Sequence, residues 1–177
     1  RRVRAAIGES LHHAGPPARV LAEAAAMRRR IARELPDAGP WDVKLRPGGL
    51  LEVEFIAQAL QLVAAPDHPG LCHPTTRIAF TRLAEAGLLP RDEAARLIRA
   101  DHVWRTVQGV LRLALRHPGR ERLPPPVLAT LGRAVGAGAG IDEAALRATL
   151  DDLAGAVRSA FLRHVGPVEE ESDAGGG

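Results

Sequence analysis

The sequence is short of several things at once. It has one cysteine, Cys72, so no internal disulfide can form, and a reducing, cytoplasmic setting is the natural expectation. It has no tyrosine, and aromatic residues make up only 3% of the chain. A core must therefore be built from Leu, Val, Ile and Ala, a composition that favours helices over sheets. No apolar run approaches the roughly 18 to 20 residues needed to span a bilayer, so no membrane partner is expected. Lysine is almost missing: Lys44 is the one lysine among 24 basic residues. A compact ammonium is a point charge that arginine does not copy, which singles Lys44 out for inspection.

What is present fits one globular domain. The 177 residues are 46% hydrophobic, enough for a core and a small appendage. The 24 basic residues face 21 acidic ones, and the arginines are scattered, so no nucleic-acid surface is expected. The first residues, Arg1-Arg2-Val3-Arg4, start inside a helical pattern without an initiator methionine or an apolar stretch behind them. The chain thus reads as a piece of something longer. Glu169-Glu170-Glu171-Ser172-Asp173 and the closing glycines read as a disordered tail.

The pattern along the chain is helical. A first piece is expected over Val3–His13. The next carries Val20, Ala24, Met27, Ile31 and Leu35 on one face, with Met27 as core filler. Trp41, Val43 and Leu45 then alternate with Asp42, Lys44 and Arg46. That period of two predicts one short extended segment near residues 41–46, with both cations on one face. After Pro47-Gly48-Gly49, a strongly apolar helix runs from Leu50 to about Ala64 and should be central to the core. Thr75 or Thr76 opens another, ending at Gly87. Asp92 opens a long helix closed by His117-Pro118. Pro124-Pro125-Pro126 starts a short one to about Val135. Asp142 caps the last, with Leu146, Leu150, Leu153, Val157, Phe161 and Val165 in register. Short loops between amphipathic helices predict a mainly α protein, an antiparallel helical bundle.

Residues 44–58 are where chemistry could reside. Two cations, Lys44 and Arg46, precede two glycines that let the backbone approach a ligand. A helix start follows, with free N–H groups and partial positive charge. Together these make a candidate nucleotide- or phosphate-binding site of Lys44, Arg46, Gly48 and Gly49. The plain alternative is a tight turn into the helix, with Glu52 and Glu54 complementing the helix start and Arg46 pairing with one of them or with Asp42. Glu52 and Glu54 are two apart on a helix and point roughly 200° from one another, so they do not form a metal pair. Glu54 and Gln58 share a face, and these three polar side chains, Glu52, Glu54 and Gln58, need partners if buried. Lys44 and Arg46 are nearest in sequence. His68, Cys72 and His73 lack a fourth ligand for zinc, and Ser10 and Ser159 have no evident base partner. No catalytic or metal-ligating residue is assigned. Trp41 and Trp104 are expected in the core, and His102 and His164 at the surface or satisfied.

The run Lys-x-Arg-x-Gly-Gly-Leu-x-Glu-x-Glu-Phe-x-x-Gln over residues 44–58 resembles a signature of the glutamine-synthetase adenylyltransferase/adenylyl-removing family. Met27-Arg28-x-Arg30-Ile31, Trp41-Asp42-Val43-Lys44 and Trp104-Arg105-x-Val107-Gln108-x-x-Leu111-Arg112-Leu113 resemble it too. The resemblance covers about Ala18 to Val165. Glu52 stands where aspartate is usual and Val53 where isoleucine is usual. The resemblance implies a multifunctional nucleotidyltransferase of nitrogen assimilation. One half adds AMP from ATP to a tyrosine of glutamine synthetase, using Mg2+; the other removes it by phosphorolysis. A PII signal protein and glutamine set the balance. The family's catalytic carboxylates lie in a Gly-Ser-Asp-x-Asp motif and a third acid, and neither is in this chain. The implied division is residues 1–49 as the end of the nucleotidyltransferase domain with connecting helices, 50–165 as the helical domain, and 166–177 as the tail. The piece would belong to the C-terminal, adenylylating half, would hold neither ATP nor Mg2+ alone and would be inactive alone. Two alternatives stay open: a non-catalytic helical interaction module, and the helical region of a PII uridylyltransferase, which shares the Gly-Gly-Leu turn.

Overall fold

The computed structural model describes residues 15–35, 39, 41–114 and 123–167. Six helices and no strand are found among them. They are α1 (Pro17–Glu34), α2 (Leu50–Ala64), α3 (Thr76–Glu85), α4 (Arg91–Ala114), α5 (Pro125–Val135) and α6 (Glu143–His164). The expected helix over 3–13, the His117-Pro118 closure and most of the tail lie outside the described residues.

The boundaries follow local chemistry. Prolines at the starts of α1 and α5 have no N–H to leave unsatisfied and a φ already suited to a helix. The Asp142 carboxylate accepts from Ala145 N at 2.7 Å and caps α6. The α5 end is closed by Gly136 at φ 83°, a conformation that favours glycine. Arg82 of α3 donates to the carbonyls of Gly70, Leu71 and Cys72, fastening the preceding loop.

α2 is central, as its apolar surface predicts: it packs against α1, α3, α4 and α6. Trp104, Phe80 and Phe161 are fully buried within a Leu/Val/Ala core. Trp41 and Val43 join the same core from the turn before α2. The start of α4 lies beside the end of α6, where Glu93 receives Arg163 at 2.7 Å and His164 at 3.0 Å. A cavity of about 330 Å³ opens between α4, the end of α5 and α6, walled by Leu97, Val103, Leu150 and Val157.

Two expectations need correction. Residues 41–46 form turns, not an extended segment. The Asp42 carboxylate accepts from Lys44 N at 3.1 Å and Leu45 N at 3.0 Å, and this local bonding outcompetes a strand. Lys44 and Arg46 consequently share no strand face. Met27 is not core filler: it is 44% exposed, and Leu35 is 57% exposed. α1 is rotated so that Arg28, on the flank of the apolar stripe, points inward with Val20 and Ala25.

Candidate functional site

The turn before α2 is built by close backbone approach. Gly48 has φ 72°, and a Cβ there would collide with the backbone carbonyl of Ala154 on α6. A Cβ at Gly49 would meet the carbonyl oxygens of Val43 at 2.7 Å and Arg46 at 2.9 Å. Both glycines are therefore required by packing of the turn on itself and on α6.

The N–H groups at this helix start already have acceptors. Gly48 N donates to Glu52 Oε2, Gly49 N to the Arg46 carbonyl, Leu50 N to Val43 and Leu51 N to Lys44. Glu52 N and Val53 N both donate to the Gly49 carbonyl. An anion arriving at this terminus would have to displace these bonds.

Glu52 is the centre of the arrangement. It is fully buried, yet it carries three hydrogen bonds. Oε1 accepts from Arg28 Nε of α1 at 3.1 Å and from Arg158 Nη1 of α6 at 2.9 Å. Oε2 accepts from Gly48 N at 2.9 Å. Arg28 is itself buried and donates a second time, to the Leu45 carbonyl at 2.9 Å. One carboxylate thus joins α1, the turn, α2 and α6. Removing one member of such a buried set costs about 3 to 5 kcal/mol, because the others are left charged and dry. α6 meets the turn with three residues of one face: Asp151 pairs with Arg46, Ala154 lies under Gly48, and Arg158 reaches Glu52.

The remaining sequence candidates are dispersed. Lys44 is exposed on the turn, and Gln58 is exposed on α2. Glu54 pairs across to Arg105 of α4 at 2.8 Å, not with Lys44 or Arg46. Arg105 also binds Asp101, a buried carboxylate that Arg77 approaches at 3.5 Å. The Arg46 guanidinium pairs with Asp151, and not with Glu52 or Glu54.

Arg28, Arg158 and Asp151 were missed by sequence reasoning about the site. Arg28 left one signal, a charge beside an apolar stripe. Arg158 and Asp151 left none, because their partners lie more than 100 residues away in the chain.

Among the described residues no group of three His, Cys, Asp or Glu side chains could hold a metal ion. Burial pushes the Cys72 thiol up, against the opposing charge of Arg82. Burial acts to raise the Glu93 carboxyl as well, but hydrogen bonds from Arg163 and His164, with their charges, outweigh it and hold Glu93 below its ordinary value. The side chains around Glu52 thus form a clamp for helices.

The comparisons with known proteins match this region as a whole. The family model described as GlnD PII-uridylyltransferase matches residues 22–163. A bifunctional glutamine synthetase adenylyltransferase/adenylyl-removing enzyme of Bradyrhizobium diazoefficiens is 32% identical over 162 residues, covering 90% of this chain and 16% of that protein. One of Rhodopseudomonas palustris is 33% identical over 146 residues, covering 81% and 14%. One of Caulobacter vibrioides is 39% identical over 113 residues, covering 63% and 11%. The chain spans about a sixth or less of the length of these relatives. No solved structure matches. The match from residue 22 to residue 163 takes in the turn, its glycines, Glu52 and both of its arginine partners, and the chain belongs to the GlnD PII-uridylyltransferase family, with glutamine synthetase adenylyltransferase/adenylyl-removing enzymes among its relatives.

Proposed function

We propose that this chain is a helical part of an enzyme that transfers AMP from ATP to a tyrosine of glutamine synthetase and removes it by phosphorolysis, and so regulates nitrogen assimilation. The observation that carries this is the match to an enzyme of that name across 90% of the chain. In this reading residues 1–49 border the nucleotidyltransferase domain, residues 50–165 form the helical domain and residues 166–177 a tail. The buried Glu52 set supports such a junction, since it fixes residues on either side of position 49 to one another.

ATP and Mg2+ would be held in the complete enzyme, mainly by the catalytic domain, and this chain alone would hold neither. Lys44, exposed at the turn, is the group proposed to face the nucleotide phosphates, with Arg46 beside it and Gly48 and Gly49 shaping the backbone. Glutamine synthetase and a PII signal protein are the proposed partners; nucleic acid and membrane are not. No described helix is long and apolar enough to cross a membrane; the proposed site of action is the cytoplasm.

The test uses the complete natural protein with ATP, Mg2+ and glutamine synthetase. AMP incorporation is expected, with release of AMP from the modified synthetase by phosphate, and Lys44→Ala is expected to slow transfer. The 177-residue chain alone should transfer nothing. Absence of transfer by the complete protein overturns the reading. The name of the matching family model favours one second reading, uridylyl transfer to PII, and UTP with PII protein as substrates is the arm that detects it. Binding to a partner without either transfer would leave the non-catalytic interaction module.

A further inference from the structure

α1 is attached to the protein unlike any other helix. It buries three of its 18 residues, Val20, Ala25 and Arg28, whereas α2 buries eight of 15. Its apolar stripe is left open at Met27 and Leu35. Polar contacts do much of the holding: Arg28 reaches Glu52 and the Leu45 carbonyl, and Arg29 reaches the Pro167 carbonyl.

That attachment is also under-satisfied. Arg28 Nη1, Trp41 Nε1 and Arg147 Nε are buried without a hydrogen-bond partner, and Arg147 lies 5.0 Å over the Trp41 ring. Among the described residues Trp104 Nε1 is the one other buried side-chain donor in this condition. Two guanidiniums converge on Glu52 Oε1, Arg28 buried and Arg158 partly exposed to solvent. The unpartnered donors raise the free energy of the closed junction relative to a state in which Arg28 and Trp41 meet water.

The doubling of arginines shows what can move. If Arg28 withdraws, Glu52 keeps Arg158 and the Gly48 N–H, and α2 stays joined to α6. Arg28 would carry residues 41–46 with it through the Leu45 carbonyl. The opening would also break the bonds of Leu50 N to Val43 and Leu51 N to Lys44 at the start of α2, the Arg46–Asp151 pair and the seating of Trp41 and Val43 in the core. Gly48, at φ 72° and seated on Ala154, marks the boundary between these residues and α2. We propose that α1 and residues 41–46 form an arm latched by Arg28 on Glu52, which opens as one unit while α2 to α6 stay folded, Arg158 holding the buried carboxylate in both states. If residues 1–49 border a catalytic domain, such an arm would let that domain move without melting the bundle. This meaning rests on the proposed function; the opening itself does not.

Native-state hydrogen exchange of the 177-residue chain at low denaturant tests it without an activity assay. The amides of α1 and of residues 41–46 should share one opening, more frequent than that of α2, α4 or α6. Arg28→Ala should speed exchange in that unit by roughly tenfold or more and leave α4 unchanged. Arg158→Ala should speed exchange in α2 and α6 as well. In a Trp104→Phe background, where Trp41 is the one indole, Arg28→Ala should raise quenching of its fluorescence by iodide. A wild-type pattern in which α1 opens only together with α2 and α4 overturns the arm, as does an Arg28→Ala chain whose helices all exchange faster alike. The wild-type pattern decides even if a variant fails to fold.

Discussion

Around Glu52 the protein buries charge, and around Trp104 it buries hydrocarbon. The first region draws on four segments and holds them with hydrogen bonds of fixed geometry. The second draws on α2 to α6 and holds them by area, with Phe80, Phe161 and Leu131 fully covered. Hydrocarbon contacts tolerate exchange of one apolar group for another of similar volume. A buried ion set tolerates almost no single loss, because each member's desolvation was offset by the others. The apolar region therefore contributes stability through area, and the polar one contributes it through a few irreplaceable bonds that also fix how α1 is seated.

The largest effect should come from removing the polar centre. Glu52→Ala is expected to cost about 4 kcal/mol, since two guanidiniums and the Gly48 N–H lose their acceptor; a denaturant midpoint unchanged from wild type would erase the contrast between the regions. Leu131→Ala in the apolar region should cost about 3 kcal/mol. Measured in one double variant, the two losses should add within about 0.5 kcal/mol, and strong coupling would mean that the regions are not separate.

A smaller effect is expected where the two modes meet, at the α4–α6 contact. Glu93 titrates below its ordinary value of about 4.5 in the folded state. Its contribution is therefore present above that value and lost as the pH falls through the depressed folded value. Glu93→Gln should flatten the acid limb of a thermal-stability profile, and a limb of unchanged steepness would remove Glu93 from the account. Smallest of all, Lys44→Ala should change stability by less than about 0.5 kcal/mol, because its side chain is exposed. A larger loss would place Lys44 in the clamp.

The apolar region was largely legible in the sequence. The span of α2, the proline start of α5, the Asp142 cap and the burial of both tryptophans follow from periodicity and end signals, which are local. The polar region was not. The alternation at residues 41–46 suggests a strand, but it arises because Trp41 and Val43 enter the core from a turn that Asp42 organises. Glu52 was legible as a carboxylate in need of partners, yet its partners are 24 residues upstream and 106 downstream. Charges near in sequence were the wrong ones: Lys44 stays in water, and Arg46 goes to α6. Helical pattern reports which face is apolar, and it carries no information on which distant charge an interior carboxylate will meet.

The contact of Gly48 with Ala154 and that of Glu52 with Arg158 have one further consequence. Gly48 and Glu52 are four residues apart, and so are Ala154 and Arg158. The two contacts work as matched teeth on two racks. Substitutions can be absorbed one at a time elsewhere, and the loops can lengthen or shorten. Inserting or deleting a single residue between 48 and 52, or between 154 and 158, would throw both teeth out of step together. Change in chain length should be harder to accommodate in these two five-residue windows than anywhere else in the described protein.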